Sequence, residues 1–312
     1  TVTLSVVALA LKTYMLFAAT ALFGFGTALY GPTRFTILTD VYSKRDGTAV
    51  ALTLAAGDIG NAALPVVAVT LTTWYSWRAG IGFSVPLFVL MGLFLWYFIP
   101  GGSLRYKDGD GVSNDVDAES SVSLRYVVTN ILVGPVLVAT GIQFLGFFAW
   151  QGFTSFFVIY LVQAKGFAAG TASSLFGFFF LLGLFVRPVS GTSHDVLGPR
   201  RTLLIILSLI TIGLTGLAFA QGFVPLLAVT IVLSSLLGFT PTTQTFIANA
   251  LPDDMKGSGL GLLRTSHMLF GATSALFVGT IADMGYFDEA FLILAGASGM
   301  AAVLSLFLPE MN

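Results

Sequence analysis

Five side chains in this sequence could do chemistry inside otherwise apolar surroundings. Arg34, Asp58, Arg187, Arg264 and His267 each interrupt a long hydrophobic run. A charge at the centre of a bilayer costs at least about 2.5–3.5 kcal/mol on insertion scales, so each asks for a partner or a function. Asp58 falls about 11 residues into its run, roughly 16 Å along a helix and so near a midplane. Asn61 and Pro65 follow it at i+3 and i+7, on one face. A carboxyl group removed from water loses the solvation that favours its ion, which suits proton coupling or cation binding. The structural alternative is a pair with Arg34 on the preceding run. Arg264 and His267 share a face at i and i+3, with Gly271 at i+7. They suit anion binding or proton coupling, because histidine ordinarily titrates nearest neutrality. The alternative is a packed imidazole bonded to a neighbouring carbonyl. Gln143, Trp150, Gln151 and Gln244 are uncharged candidates for a polar pathway, with an interfacial anchor the other role open to Trp150. Arg34 lies about 9 Å from its helix end, close enough for its stem to snorkel to the interface.

The elements that must position these residues are membrane helices. Of 312 residues, 56% are hydrophobic and only 9% are charged, against roughly 25% charged in a soluble domain. Such a chain cannot cover its apolar surface in water. The net charge of −1 implies no nucleic-acid partner, and with no cysteine there is no disulfide, zinc thiolate or catalytic thiol. The glycine-rich runs at 23–27 and 257–263 sit within apolar helices without a preceding strand, so they serve helix packing rather than nucleotide binding. No serine-nucleophile motif or metal-ligand cluster occurs. We expect no enzyme, metal or cofactor.

Apolar runs predict a partial span at 1–11 and full spans near 14–39, 48–72, 79–99, 127–163, 169–192, 201–220, 223–248, 258–282 and 288–308. The run 127–163 reads as one tilted helix with an aromatic end. Residues 101–123 form the only long polar stretch, a flexible linker between membrane halves at 1–100 and 124–312. Alternate loops carry Lys44, Arg45, Arg105, Lys107, Arg125, Arg200, Arg201 and Lys256, whereas the opposite loops carry only Lys12, Arg78 and Lys165. The positive-inside bias then places the linker and the C-terminus in the cytoplasm of a multi-pass plasma-membrane protein. "YGPTRFTILTDVYSKRDGTAVAL" at 30–52 is repeated in "FTPTTQTFIANALPDDMKGSGLGL" at 239–262, with Pro32 matching Pro241 and Gly47 matching Gly257. A repeat in the same orientation describes two parallel halves with a solute site between them near the midplane.

"GTSHDVLGPRR" resembles the cytoplasmic loop signature of the major facilitator superfamily through Gly191, Asp195, Gly198, Arg200 and Arg201, with Val196 standing where a base is usual. The stretch from Pro32 through "WYSWR" and the junction before Lys256 are similar to the same family, so the resemblance spans the chain. It implies an all-α fold of two pseudo-symmetric halves, with helices three to twelve present and the first two absent. In this reading Asp195 meets a neighbouring helix N-terminus near Thr48 as a gate element, and Gly191 and Gly198 allow close packing and a tight turn.

The resemblance implies a secondary transporter working by alternating access on a small organic or anionic solute, with protons or another ion as coupling partner, as a monomer in the bilayer. Efflux of amphipathic compounds is the alternative, but Thr20 stands where drug–proton antiporters of this family carry an Arg, and Leu64 replaces a Gly of their helix-five motif. "FVRPVSG" around Arg187 resembles the eighth helix of nitrate/nitrite porters. A non-transporting receptor is the reading from a different class.

Overall fold

The computed structural model describes residues 5–7, 13–26, 46–98, 134–251 and 256–309, and these are helical with short turns and no strand among them. The chain divides into two compact units, Thr1–Asp117 and Ala118–Asn312. The first contains α1 (Thr13–Gly26), α2 (Asp46–Trp74), α3 (Trp77–Gly82) and α4 (Ser84–Phe98). The second contains α5 (Gly134–Gln163), α6 (Ala169–Phe219), α7 (Phe223–Leu233), α8 (Leu236–Ala250), α9 (Lys256–Asp283) and α10 (Phe287–Ser305).

Among the described residues five stretches are long and apolar enough to cross a membrane: Trp77–Phe94, Gly134–Gln163, Ala169–Phe219, Phe223–Ile247 and Phe287–Ser305. The protein is therefore a multi-pass membrane protein. α2 and α9 have 29 and 28 residues and so also reach across a bilayer. They are the helices that carry Asp58 and Arg264.

In the first unit Ser76 caps α3, its side chain accepting from the Ala79 N–H at 3.4 Å. The turn before it folds α3 back so tightly that a Cβ on Gly80 would lie 2.1 Å from Thr72 Oγ1. The span expected at 79–99 begins two residues earlier, and Trp77–Phe94 is one membrane-length stretch with a single tightened turn at Phe83, whose backbone stays right-handed helical.

In the second unit α5 lies at the centre. Gly146 lets it approach Phe239 of α8, Gly152 lets it approach Ser274 of α9 and Leu294 of α10, and its aromatic face meets α6. The predicted spans 169–192 and 201–220 are the two arms of α6. The residues expected to form a loop between them are helical up to 197, and the chain leaves helical geometry only at Gly198, where φ is 78°. Phe157 of α5 packs on Phe176 in the first arm, while nearby Tyr160 bonds the Leu217 carbonyl at the far end of the second. Both outer ends of α6 therefore meet the same end of α5, and the arms are antiparallel. One left-handed residue makes the hairpin, which is why a glycine stands there. Gly191 is otherwise: among the described residues a Cβ on it would meet no atom within 4 Å.

The span expected at 223–248 runs through as one membrane-length stretch, Phe223–Ile247, tightened in its middle where Ser234 and Ser235 stay right-handed helical. α7 and α8 are joined by tight turns at Ser234 and Ser235, where Leu237 N donates to Ser234 O and Gly238 N to Ser235 O, both at 2.9 Å. Each serine hydroxyl turns back to a carbonyl three residues earlier. This local side-chain bonding competes with helix continuation in the middle of the run. Pro241, inside α8, removes a further donor.

Candidate functional site

A cavity of about 380 Å³ opens within the second unit between α5, α8 and α9, lined by Gln143, Gln244, Thr245, Ile247, Leu260, Leu263, Arg264 and His267. Four of the residues singled out from sequence meet there: Gln143, Gln244, Arg264 and His267. They come from three helices, each placed by a packing contact. Gln143 is 2% exposed and joined to Thr243 of α8 by a short side-chain hydrogen bond, which registers α5 against α8. Its Nε2 is buried and makes no hydrogen bond. His267, 3% exposed, meets the ring of Phe147 edge-on with centroids 4.7 Å apart. Gly271, one turn on, brings α9 close enough for this contact, since a Cβ there would lie 2.4 Å from Phe147 Cδ1. Arg264 and Gln244 are exposed.

The cavity offers hydrogen-bond donors and one positive charge. Arg264 provides a fixed positive charge with five N–H donors. Gln143 holds a desolvated amide group with one end unengaged, and Thr245 adds a hydroxyl. Among the described residues no carboxylate lines it. Phe144, Phe148, Phe270 and Phe277 form an aromatic cluster between α5 and α9.

The other candidates stand elsewhere. Trp150 is half-buried against Phe179 and Phe180 of α6, and Gln151 Nε2 donates to Ser155 Oγ at 3.2 Å, so neither lines the cavity. Arg187 is half-buried in the first arm of α6, also away from it. In the first unit Asp58 is 3% exposed, whereas Asn61 is exposed, so the two do not present one buried stripe. Arg34 lies outside the described residues. Asp195 and Arg201 are exposed, and Arg200 is half-buried, on either side of the Gly198 turn. Sequence reasoning passed over Thr243 and Thr245, whose sole signal was their adjacency to Gln244 in the repeated segment. It also passed over the cluster of Tyr160, Lys165 and Asp288. Among the described residues no group of three or more His, Cys, Asp or Glu side chains could hold a metal ion.

These helices define an integral membrane protein with a polar cavity inside its second unit. The model of the Major Facilitator Superfamily matches residues 1–239 and again 139–312, and the chain belongs to that family. It is similar to a multi-drug resistance efflux pump PmrA homolog of Lactococcus lactis, at 27% identity over 157 residues, which is 48% of this chain and 38% of that protein. It is similar also to the multi-drug resistance efflux pump PmrA of Streptococcus pneumoniae, at 29% identity over 145 residues, or 46% of this chain and 35% of that protein. The chain thus spans well under half the length of these relatives. Among solved structures it resembles a variant of the E. coli fucose:proton symporter FucP with a TM-score of 0.57 and 18% identity, covering 77% of this chain and 58% of that one. That likeness concerns the fold.

Proposed function

We propose that the protein is a secondary transporter that moves a small organic anion across the membrane by alternating access. The observation that carries the reading is the convergence of Arg264, Gln143, Gln244 and His267 on one cavity, with no acid among the described residues that line it. A buried amide with an unengaged end and a neighbouring guanidinium reward a ligand that brings acceptors and negative charge, and penalise one that does not. Family membership supports transport as the use of such a site. Asp58 is the proposed proton-coupling group, because it is a buried carboxyl group in a membrane-length helix. The plasma membrane, with residues 101–123 and the C-terminus on the cytoplasmic side, is the proposed location.

Efflux of amphipathic compounds is the second reading. The names of the relatives favour it, as does the aromatic cluster of Phe144, Phe148, Phe270 and Phe277 beside the cavity. Flux into proteoliposomes, measured with a panel of carboxylates, nitrate, sugars and cationic dyes, separates the readings. Uptake of an organic anion that is abolished by Arg264→Ala supports the first. Transport of cationic dyes that is indifferent to Arg264→Ala establishes the second. Passage of no solute at all would favour a receptor.

A further inference from the structure

A second cavity, of about 470 Å³, runs along the α6 hairpin and α7, from Ser193 and Thr202 beside the turn to Leu182 and Leu209 deeper along the arms. From Thr202 to Leu209 is seven residues, roughly 10 Å of helix. The walls are almost wholly aliphatic and aromatic. The hydroxyls on its floor are spoken for: Ser190 bonds Gly238 O and Thr242, Ser234 bonds Ile231 O, and Ser235 bonds Val232 O. Thr202 differs: it is 1% exposed and its Oγ1 is buried without a hydrogen-bond partner, and half-buried Ser193 also lines the hairpin end.

The groove is therefore polarised. Along its length it offers nothing to a polar guest, and at the hairpin end it leaves one desolvated hydroxyl open, a cost that a ligand oxygen would remove. Arg201, next to Thr202, is exposed, and the hairpin carries two arginines, Arg200 and Arg201, against one acid, Asp195.

We propose that this groove binds one phospholipid with an anionic headgroup. The headgroup lies at Arg201 and the ester region at Thr202, and an acyl chain follows the groove towards Leu182 and Leu209. A hydroxyl next in sequence to an exposed arginine, at the hairpin end of an apolar channel about 10 Å long, matches the order of groups along such a lipid. The site is separate from the cavity at Arg264, so it does not depend on what the protein transports.

The test uses the full purified chain in detergent, titrated with phosphatidylglycerol or with phosphatidylcholine of the same acyl chains, and read by native mass spectrometry and thermal unfolding. Phosphatidylglycerol is expected to be retained as a single copy and to raise Tm more than phosphatidylcholine does. Arg201→Gln should weaken retention about fivefold, the factor a single interfacial arginine is worth. Thr202→Val should leave the lipid-free Tm unchanged or higher, since the hydroxyl it removes has no partner, yet lose most of the lipid-induced shift. Val189→Phe, which fills the groove, should remove the bound copy; if it fails to fold, the other two variants decide. Equal binding of both lipids would show a neutral amphiphile site and overturn the proposal. So would phosphatidylglycerol retention unaffected by Arg201→Gln and Thr202→Val, or a lipid-free dimer that covers the groove.

Discussion

Lys165 Nζ lies 3.1 Å from Asp288 Oδ1 and donates to the Ala218 carbonyl at 2.7 Å. One ammonium thus joins the C-terminal end of α6, where the helix dipole favours a cation, to the acidic first turn of α10. Tyr160 reinforces the joint, bonding both Leu217 O and Asp288 and standing under Lys165 with 5.2 Å from Nζ to its ring centroid. The two partners are very differently exposed, Lys165 at 8% and Asp288 at 49%.

That asymmetry predicts unequal mutant costs. Lys165→Met leaves the Ala218 carbonyl without its side-chain donor and is expected to cost about 1–3 kcal/mol. Asp288→Asn removes a half-exposed, screened charge and is expected to cost at most about 1 kcal/mol. Thermal unfolding of the two variants checks the order, and the double variant should lose less than the sum of the two. Equal losses would count against the capping role.

Gly198 and Gly191 should respond in opposite ways to alanine. At φ 78° an added Cβ strains the backbone, so Gly198→Ala is expected to cost about 1–2 kcal/mol. Gly191 is helical with open space around its Cβ position, so Gly191→Ala is expected to be neutral or to stabilise by up to about 1 kcal/mol. Melting temperatures of the two variants, measured side by side, test the single-residue hairpin.

Gly271→Ala should damage the cavity without touching it. The new methyl would sit 2.4 Å from the Phe147 ring, which itself holds His267 edge-on. Overpacking of this kind costs about 1–3 kcal/mol. The expected outcome is a lower Tm together with weaker ligand binding. Gly271→Ala combined with Phe147→Leu should recover stability, and a variant no less stable than the parent would show that α9 is free to shift.

Arg264→Ala should leave the fold intact, since the side chain is exposed, while weakening binding of an anionic solute by about tenfold or more. Arg264→Lys should recover part of the affinity, as a point charge without the planar fork. Gln143→Leu should weaken the same ligand and also cost about 0.5–1.5 kcal/mol of stability, because it removes the Thr243 bond that registers α5 against α8. Isothermal titration with the anion identified by flux checks each value. Unchanged affinity in both variants would remove the cavity from the transport path.

Much of the fold was legible in the sequence because an apolar run of bilayer length is a local property. Gly134–Gln163 and Phe287–Ser305 are helices wherever the chain places them. The tightened turn between α7 and α8 was not legible: Leu233, Leu236 and Leu237 continue the hydrophobic run through it, and the competing bonds of two small hydroxyls leave no mark on hydropathy. The hairpin was misjudged in extent for a related reason. Charged residues suggested a loop, yet 191–197 stay helical, and only Gly198 turns the chain.

The candidate site divides along the same line. Sequence alone determined that Arg264 and His267 share one helical face, because a spacing of three residues fixes their angle about the axis. It also marked Asp58 as a carboxyl group deep in a membrane-length helix, through its distance from the run's ends. It could not determine that Gln143 and Gln244 join Arg264 and His267 while Trp150, Gln151 and Arg187 do not. That choice was made by glycines 146, 152 and 271 and by the Gln143–Thr243 bond, which set how deeply α5, α8 and α9 interlock. Periodicity along a helix is a property of one segment; which faces meet depends on steric fit between segments distant in the chain, and only the packed structure contains it.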